Sequence, residues 1–271
     1  MSVLNRFSLK DKVIVVTGAA GLLGVQHCLA IGEAGGIPVL LDVNQENLER
    51  ASALLSNQHI IHDSFCVDIT DESEVKNILA KLIAKHGSVY GLVNNAAANP
   101  KVEGNQQHFS RLENFPLDQW DFELSIGLKG AFICARVFAL HMEENKGGVI
   151  VNISSDLGKI APDQRLYKTE NTEERHQPVK PVTYSVVKHG LIGLSKYLAT
   201  YFLHVRSNTL VPAGVYNNQP PAFVEKLSQL IPMGRMAHHE EYKASLVYLL
   251  SDASSYMTGA ELIVDGGRTT W

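Results

Sequence analysis

The sequence predicts an α/β protein with a single doubly wound domain, in which helices cover both faces of a parallel sheet. Short apolar runs rich in β-branched residues alternate along the chain with longer segments of helical period, as crossover connections require. A glycine-rich turn separates the first such run from the first helix, and no linker, repeat or low-complexity tract breaks the alternation. Hydrophobic residues make up 45% of the 271 residues and charged residues 19%, which is enough apolar material for one sizeable core.

The expected elements follow this alternation in chain order. Strands are predicted at residues 12–17, 37–42, 60–67, 89–94, 148–153, 206–211 and 261–264. Helices are predicted at about 22–35, 44–55, 71–86, 117–144, 183–204, 219–231 and 239–251. Asn44 suits the N-cap of the second helix, and acids occupy the first turn of the third, where they favour the helix dipole. One domain over residues 1–271 is therefore expected.

Two polar stretches are too long for ordinary connections between these elements. Residues 97–116 and 156–182 both contain proline and both follow predicted strands. Segments that follow parallel strands lie at the carboxyl edge of the sheet, where ligands bind in doubly wound folds. We therefore expect these two stretches to form the substrate-binding part of the molecule.

The charge and the N-terminal segment argue against several partners. The formal net charge is −4 and no long basic run occurs, so nucleic acid is not an expected partner. Residues 1–12 contain no apolar signal-peptide core and no apolar run is long enough to span a bilayer, so no membrane contact and a cytoplasmic location are expected. Cys28, Cys66 and Cys134 are too far apart for a CxxC pair and should be reduced, mostly buried thiols.

A glycine triplet lies between the first strand and the first helix. Gly18, Gly21 and Gly24 permit a tight turn and a close approach of the backbone to pyrophosphate, and the helix N-terminus offers it free amides. Asp42 closes the second strand about 20 residues after the triplet, where a carboxylate can accept hydrogen bonds from the adenosine ribose. Because that carboxylate would repel the 2′-phosphate of NADP, NAD(H) is preferred over NADP(H) as cofactor. Asp42 could instead cap the next helix, but Asn44 is better placed for that role.

The run His238-His239-Glu240-Glu241 has the residue types of a metal site. Adjacent residues on a helix point in different directions, however, and acids suit the start of a helix. No metal site is therefore predicted.

Three further motifs carry a resemblance to a known family. They are NNAA at residues 94–97, NISS at 152–155 and YSVVK at 184–188, the first two after predicted strands and the third at the start of a helix. With these motifs in this order, the chain resembles the short-chain dehydrogenase/reductase family over about residues 8–267. The resemblance implies a single Rossmann-like domain with a seven-stranded parallel sheet, assembled as a homodimer or homotetramer.

The resemblance assigns the catalytic residues. Tyr184 corresponds to the catalytic acid/base and Lys188 to the lysine that accompanies it. Ser155 corresponds to the serine that hydrogen-bonds the substrate oxygen, with Ser154 as the less favoured alternative. Tyr184 and Lys188 are one helical turn apart and share a face of the helix. Because a tyrosine with a pKa near 10 is a poor base at neutral pH, an ammonium beside it should lower that pKa by favouring the phenolate.

The resemblance also assigns a set of residues that bind the cofactor. They are Gly18, Gly21, Leu23, Gly24, Asp42, Asp68, Ile69, Asn95, Ala96, Tyr184, Lys188 and Val215. Asp68 and Ile69 would flank the adenine. Asn95 and Ala96 would pass behind the cofactor, and the backbone of Val215 would hold the carboxamide.

Three features depart from the family pattern. Gly127 stands where the family commonly has an asparagine that supports a water leading to the lysine, which puts the usual proton relay in doubt; Ser125 or a rearranged water could substitute. Leu22 stands where compact members usually have glycine, and the glycine spacing is closer to that of sugar-nucleotide epimerases. Finally, Ser155 and Tyr184 are much further apart than usual, which implies an insertion over the active site.

The insertion indicates the kind of substrate. It is polar, whereas a steroid or fatty-acyl pocket would call for more Leu, Phe and Met. Its basic residues, which could meet a phosphate, are Arg165, Lys168, Arg175, His176 and Lys180. A polyhydroxylated ligand is therefore favoured, and a solvated or subunit-contacting loop is the alternative.

Longer runs of sequence sharpen the resemblance. APDQRLY, KPVTYSVVKHGLIGLSKYLATYF and DASSYMTGAELIVDGGRTTW are similar to bacterial oxidoreductases of flagellin modification and surface-sugar biosynthesis. This implies the interconversion of a secondary alcohol and a ketone on a sugar, a sugar phosphate or a nucleotide sugar. A nucleotide-sugar epimerase or dehydratase with tightly bound NAD and a non-catalytic NAD-binding regulatory protein are the alternatives. The tail from Arg268 to Trp271 is expected to pack on a neighbouring subunit or to fray.

Overall fold

A single parallel sheet organises the molecule. The computed structural model describes residues 2–98, 110–169 and 172–271. The strands are β1 (Val13–Thr17), β2 (Ile37–Asp42), β3 (Asp63–Cys66), β4 (Gly91–Asn94), β5 (Gly148–Ile153), β6 (Val205–Pro212) and β7 (Glu261–Val264). Their order in the sheet is β3-β2-β1-β4-β5-β6-β7. The strand order reverses between β1 and β4, so the crevice at their carboxyl ends is the expected ligand site of such a sheet. The seven-stranded Rossmann-like sheet is confirmed.

Helices cover both faces of the sheet. They are α1 (Leu22–Glu33), α2 (Gln45–Asn57), α3 (Glu72–His86), α4 (Leu117–Leu124), α5 (Ala131–Glu144), α6 (Val182–Tyr201), α7 (Pro221–Ser228) and α8 (Lys243–Leu250). Strand β1 shows how the two faces are filled. Val13 and Val15 pack with α3 and α5, whereas Ile14 and Val16 pack with α1 and α8. A strand that is buried on both faces needs a continuous apolar run, which is why residues 13–16 show no polar alternation.

The predicted helix starts at Asn44 and Asp71 are confirmed. The Asn44 side chain accepts a hydrogen bond from the Asn47 amide at 2.9 Å. The Asp71 carboxylate accepts from the Ser73 amide at 2.8 Å and from the Glu74 amide at 3.3 Å. These side chains satisfy amides that have no partner inside the helix.

The predicted helix 117–144 is interrupted. Residues Ser125–Gly130 form a π-helical turn between α4 and α5. Gly127 lies inside this turn, and a Cβ atom on it would come within 2.5 Å of Val187 Cγ1 on α6. The glycine therefore allows the interrupted helix to lie against α6 more closely than any other residue would. An asparagine, which the family commonly has here, would require Val187 to move.

Three other predicted elements are shorter than expected. The third strand begins at Asp63 rather than at residue 60, since β2 pairs with it only from Val39 to Asp42. The helix predicted at 219–231 ends at Ser228. The helix predicted at 239–251 begins with a 3₁₀ turn, His239–Tyr242, before α8.

The run from Leu117 to Glu144 is long and apolar enough to cross a membrane by length and composition. However, half of the most apolar 18-residue part of this run is buried inside the fold. Eight side chains of α5 are buried. It is a core helix of the domain.

The three cysteines are free thiols. Cys28 and Cys134 are buried, and burial raises the pKa of Cys134 to about 12, so this thiol stays protonated and unreactive. Cys66 is exposed at the end of β3. The sequence analysis expected mostly buried thiols and did not identify this cysteine as the exposed one.

Candidate active site

One large cavity, of about 900 Å³, lies at the carboxyl ends of the strands. Most of the residues predicted for catalysis and cofactor binding line it together: Gly18, Gly21, Leu23, Asp42, Asp68, Ile69, Asn95, Ala96, Ser155, Tyr184, Lys188 and Val215. Gly24 is not part of the lining. It lies beneath the glycine turn, where a Cβ atom would come within 2.2 Å of the Gly18 carbonyl oxygen.

The glycine turn has the form of a phosphate cradle. Gly18 has φ +60°, and a Cβ atom on it would approach Ala96 Cα to 2.8 Å. Helix α1 starts after Gly21 without a side-chain cap, and Gly21, Leu22 and Leu23 line the cavity. The first amides of a helix have no partner inside it and can bind an anion. These features fit the pyrophosphate of a dinucleotide, which needs close backbone approach and free amides.

Asp42 connects the glycine turn to the second helix. Its carboxylate accepts hydrogen bonds from the Ala20 amide and from the Asn44 amide, both at 3.0 Å. Asn44, not Asp42, caps α2, as expected. Asp42 is therefore held at the end of β2 by two backbone donors and lines the cavity from there.

Asn95 fixes the turn from the opposite side. Its side-chain amide donates to the carbonyl oxygens of Thr17 and Gly18, each at 3.0 Å. The Thr17 hydroxyl in turn accepts from the amides of Asn95 and Ala96, both at 3.1 Å. These bonds tie the ends of β1 and β4 together at the point where the strand order reverses.

The remaining predicted cofactor residues lie in turns that line the same cavity. Asp68 accepts from the Thr70 amide and hydroxyl, both at 2.8 Å, which shapes the turn that also contains Ile69. Val215 forms an isolated parallel bridge with Ala237. The chain thus offers backbone and side chains on both sides of the crevice between β1 and β4.

Tyr184 and Lys188 lie one turn apart near the start of α6, and both are in the cavity wall. The Lys188 ammonium donates to the Ile153 carbonyl oxygen at 2.8 Å and lies 5.7 Å from the centre of the Tyr184 ring. Burial lowers the pKa of Lys188 to about 8, and the positive charge of Lys180 lowers it further. The carbonyl at the end of β5 therefore fixes the lysine beside the tyrosine.

The electrostatics of Tyr184 differ from the sequence-based expectation. Burial raises the pKa of Tyr184 to about 12, while a hydrogen bond with Ser155 acts in the opposite direction. The expected lowering of this pKa by Lys188 is wrong: burial disfavours the phenolate most, and the negative charge of Asp156 disfavours it further.

The two serines after β5 face different groups. Ser154 donates to the backbone carbonyl of Lys188 at 2.7 Å. Ser155 donates to the Asp156 carboxylate at 2.6 Å and interacts with the Tyr184 hydroxyl. Ser155 therefore lies beside the tyrosine, and Ser154 serves the packing of α6.

Asp156 is a feature that the sequence analysis did not identify. It is buried, and burial raises the pKa of its carboxyl, against the hydrogen bond from Ser155. The acid immediately follows the NISS motif, and that adjacency was the one available signal. Its contact with the Ser155 hydroxyl orients the group that is assigned to the substrate oxygen.

Lys180 is a second such feature. Its ammonium lies 3.8 Å from the centre of the Tyr184 ring, within cation–π distance. Burial lowers the pKa of Lys180 to about 8, while the carboxylates of Asp156 and Glu123 act to raise it. The sequence analysis placed Lys180 among residues that could meet a phosphate, not against the Tyr184 ring.

The insertion over the site has a defined structure in its described part. Arg165, Lys168 and Arg175 form ion pairs within the insertion, with Asp163, Glu174 and Glu173 respectively. Of the five basic residues that were expected to meet a phosphate, Lys180 is the one that lines the cavity within the described chain. Pro162, Asp163, Leu166 and Tyr167 of the insertion also line the cavity, but most of its positive charge is paired at the surface.

The segment before α4 contacts this insertion. Arg111 donates to the carbonyl oxygens of Glu174 and Gln177, at 3.1 and 3.3 Å, and Ser110 accepts from the Val179 amide at 3.2 Å. The two polar stretches expected at the carboxyl edge therefore lie together. Residues 99–109 of the first stretch are outside the described residues.

The cluster at 238–241 forms a helix start. His238 and Glu241 form a capping box, and Glu241 pairs with Arg235 at 2.7 Å. Hydrogen bonds from Arg235 lower the pKa of Glu241 to about 2. The described parts of the chain contain no group of His, Cys, Asp and Glu residues that could hold a metal ion.

Comparison with known proteins identifies the class to which this fold and site belong. A family model described as enoyl-(acyl carrier protein) reductase matches residues 18–269. D-Threitol dehydrogenase of Mycolicibacterium smegmatis is 32% identical over 99% of this chain and 97% of that protein. The chain belongs to the short-chain dehydrogenase/reductase family, and it is an oxidoreductase that acts on an alcohol or a ketone.

Other relatives share its whole length. The post-translational flagellin modification protein A of Campylobacter coli is 30% identical over 96% of this chain and 98% of that protein. An NADP-dependent mannitol dehydrogenase of Hypocrea jecorina is 28% identical over 98% and 96% of the two chains. Several of these relatives are thus dehydrogenases of polyols.

Solved structures match the fold. A gluconate 5-dehydrogenase of Burkholderia cenocepacia superposes with a TM-score of 0.86 over the full length of both chains, at 24% identity. An NAD⁺-bound xylitol dehydrogenase superposes with a TM-score of 0.82, at 25% identity, over 96% of this chain and 99% of that one. The mannitol dehydrogenase above is NADP-dependent and the xylitol dehydrogenase holds NAD⁺, so proteins similar to this chain use either nicotinamide cofactor.

Proposed function

We propose that this protein is an NAD(H)-dependent dehydrogenase that interconverts a secondary alcohol and a ketone on a sugar or polyol. The observation that carries the proposal is that one cavity holds the glycine turn and the group Ser155, Tyr184 and Lys188. A phosphate cradle beside a buried phenol and ammonium is the arrangement that hydride transfer coupled to proton transfer requires.

The chain's own residues would handle the proton and the orientation. In the oxidation, the substrate hydroxyl is held by Ser155, and the Tyr184 phenolate accepts its proton as the C–H bond breaks and the C=O bond forms. The bound dinucleotide supplies the acceptor of the hydride. Lys188, which is fixed by the Ile153 carbonyl, stabilises the phenolate and would also hold the nicotinamide ribose. Asp156 orients Ser155 through their 2.6 Å hydrogen bond.

The preference for NAD(H) over NADP(H) rests on Asp42. Two backbone amides hold its carboxylate at the end of β2 and in the cavity wall. A fixed negative charge there accepts from the two ribose hydroxyls and repels a 2′-phosphate. We expect kcat/KM to be higher with NAD than with NADP; the reverse order would overturn this part of the proposal.

The substrate class is supported by the relatives and by the polarity of the cavity. The cavity wall contains Asp163, Tyr167, Asn217 and Gln219 beside apolar side chains. Such a mixture suits hydroxyl groups on a carbon skeleton. A sugar that carries a phosphate or a nucleotide, in surface-glycan or flagellin-glycan biosynthesis, is the narrower proposal, for which the flagellin modification relative is the support.

We also propose that the protein is a cytoplasmic homodimer or homotetramer. Large apolar and aromatic side chains are exposed on α5 and α6, among them Phe132, Leu140, Tyr197 and Tyr201. An exposed apolar surface on two neighbouring helices suits contact with a second subunit. Sedimentation velocity would test this; a monomer at micromolar concentration would contradict it.

The proposed function is tested by Tyr184→Phe, assayed with NAD and a panel of polyols, sugars, sugar phosphates and nucleotide sugars. Loss of the general base should lower kcat by about 10²- to 10⁴-fold, with little change in the Kd for NADH. Tyr256→Phe, at a fully exposed tyrosine outside the cavity lining, is the matched control and should keep its activity.

Unchanged turnover in Tyr184→Phe would refute the assignment of the base. Steady NADH release by the wild type excludes an epimerase or dehydratase that keeps its NAD bound, as well as a non-catalytic regulatory protein. Conversion of a nucleotide sugar without NADH release would favour the first of these alternatives.

A further inference from the structure

Arg268 lies just after β7, and its side chain forms part of the cavity wall. Only 7% of the residue is exposed to solvent. Its Nε atom is buried without a hydrogen-bond partner, and its guanidinium makes no ion pair with any residue that the structure describes. A buried guanidinium normally has a carboxylate or phosphate partner, because the charge loses its hydration on burial.

The acids around Arg268 are engaged with other donors. Asp163 pairs with Arg165, whose Nε and Nη2 atoms donate at 2.8 and 2.6 Å. Asp156 accepts from Ser155 and from the Leu157 amide. Asp265 accepts from the Gly267 amide and from both donors of Thr269. The positive charge of Arg268 acts against the raised pKa of Asp156 and helps to lower that of Asp163. The guanidinium is therefore near both carboxylates, but it forms no ion pair with either.

This environment places Arg268 at the substrate end of the cavity. Asp156 and Asp163 both belong to the insertion that follows Ser155, and the side chain of Asp156 contacts the Ser155 hydroxyl. Lys180 lines the same region, against the Tyr184 ring. The cofactor residues Asp42 and Asp68 are in the other half of the wall, at the ends of β2 and β3.

We propose that Arg268 binds an oxyanion of the substrate, a carboxylate or a phosphate monoester, while the reacting hydroxyl lies between Ser155 and Tyr184. The substrate is then an anionic polyol: a sugar acid or a sugar phosphate. This inference rests on the proposed function and narrows its substrate class. A guanidinium recognises both kinds of oxyanion through paired N–H donors, and a site built around it disfavours a neutral analogue that leaves the charge unpaired.

The test measures binding to the full-length enzyme saturated with NADH, by isothermal titration calorimetry. The probes are D-gluconate and D-glucitol, which differ in the carboxylate, and D-glucose 6-phosphate and D-glucose, which differ in the phosphate. The wild type should bind one anionic probe about thirtyfold or more tightly than its neutral counterpart. A difference in affinity between D-gluconate and D-glucitol would indicate a carboxylate in the substrate. A difference between D-glucose 6-phosphate and D-glucose would indicate a phosphate.

Arg268→Met should abolish this difference, and Arg268→Lys, which keeps the charge but not the planar pair of donors, should retain part of it. Lys168→Met is the matched control: it removes a cation of the insertion that is paired with Glu174 at the surface, and it should bind the probes like the wild type. Because Arg268 has no partner within the described chain, Arg268→Met should also unfold at the same temperature as the wild type or higher in the absence of substrate.

Equal binding of the charged and neutral members of both pairs by the wild type would overturn the inference, as would an anion preference that survives in Arg268→Met. A clear fall of the Tm in Arg268→Met would also contradict it, because it would show that the arginine stabilises the fold. Turnover is scored separately with NAD. If an anionic probe binds through Arg268 but no probe is oxidised, the proposed function is contradicted, while the inference that Arg268 binds an oxyanion still holds.

Discussion

At the scale of single residues, the site is governed by the burial of charged groups close to one another. Tyr184 stands between two lysines, with Lys188 one turn along the helix and Lys180 over its ring. Burial lowers the pKa of both lysines to about 8 and raises the pKa of Tyr184 to about 12. The positive charge of Lys180 also helps to lower the pKa of Lys188, because two neighbouring ammonium groups disfavour each other.

This arrangement predicts a role for Lys180 in the pH dependence of turnover. A positive charge near Tyr184 favours the phenolate, so Lys180→Met should raise the pKa of the tyrosine. The rise of kcat with pH in alcohol oxidation should therefore move to higher pH, and the loss of activity should be greatest below pH 8, where Lys180 is charged in the wild type. Steady-state pH–rate profiles measure the shift.

Lys180→Arg keeps a cation over the ring and should restore the wild-type profile, while Lys168→Met should leave it unchanged. A Lys180→Met profile with the wild-type midpoint would show that the contact does not tune the tyrosine.

At the scale of elements, the contact between the π-helical turn and α6 positions the catalytic helix. Gly127 packs on Val187, which precedes Lys188 in the chain. The missing Cβ atom allows this approach. The π-helical turn accommodates an extra residue that a regular α-helix would not. The departure from the family's asparagine at this position is thus accompanied by a different packing of the helix.

Gly127→Ala should destabilise the protein in spite of the better helix propensity of alanine. The added methyl group overlaps Val187, and overpacking of this kind costs about 1–3 kcal/mol in the free energy of unfolding. Val187→Ala makes room for it, so the double variant should be no less stable than Val187→Ala alone. Urea unfolding of the four proteins of the double-mutant cycle gives the coupling.

If Gly127→Ala were as stable as the wild type, or if the two substitutions were additive, the Gly127–Val187 contact would not limit the approach of the two helices.

At the scale of the whole molecule, stability should depend on pH through a buried histidine. His27 on α1 is fully buried, and both of its ring nitrogens lack a hydrogen-bond partner among the described residues. Burial lowers its pKa from 6.5 to about 4. The unfolded chain therefore takes up a proton as the pH falls below 6.5, whereas the native protein does so only near pH 4.

The free energy of unfolding should accordingly fall by about 3 kcal/mol between pH 6.5 and 4 on account of His27, with no contribution above pH 6.5. His27→Met removes the titrating group and should flatten this part of the curve, measured by denaturant unfolding at several pH values. His189→Gln, at an exposed histidine, is the control. The same slope in wild type and His27→Met would contradict the assignment.

Much of the fold could be predicted from the sequence because its signals are local. The buried strands are continuous apolar runs, Asn44 and Asp71 mark helix starts, and the glycine turn needs backbone conformations that few other residues adopt. The limits of the elements depended on partners: β3 is only as long as its pairing with β2, and the helix at 117–144 was broken by a contact with α6.

By itself, the sequence determined the order of strands and helices along the chain and the dinucleotide-type turn, since these are short-range patterns. The resemblance of its motifs to a family assigned Ser155, Tyr184 and Lys188. Only the tertiary structure decided what surrounds that group. Asp156 and Lys180, near the two ends of the insertion, meet Arg268, which follows β7, in one cavity wall. The other basic residues of the insertion turn to nearby acids. Distances in space decide which charged side chains are paired with each other and which remain to bind a ligand. The spacing of residues along the chain does not give these distances.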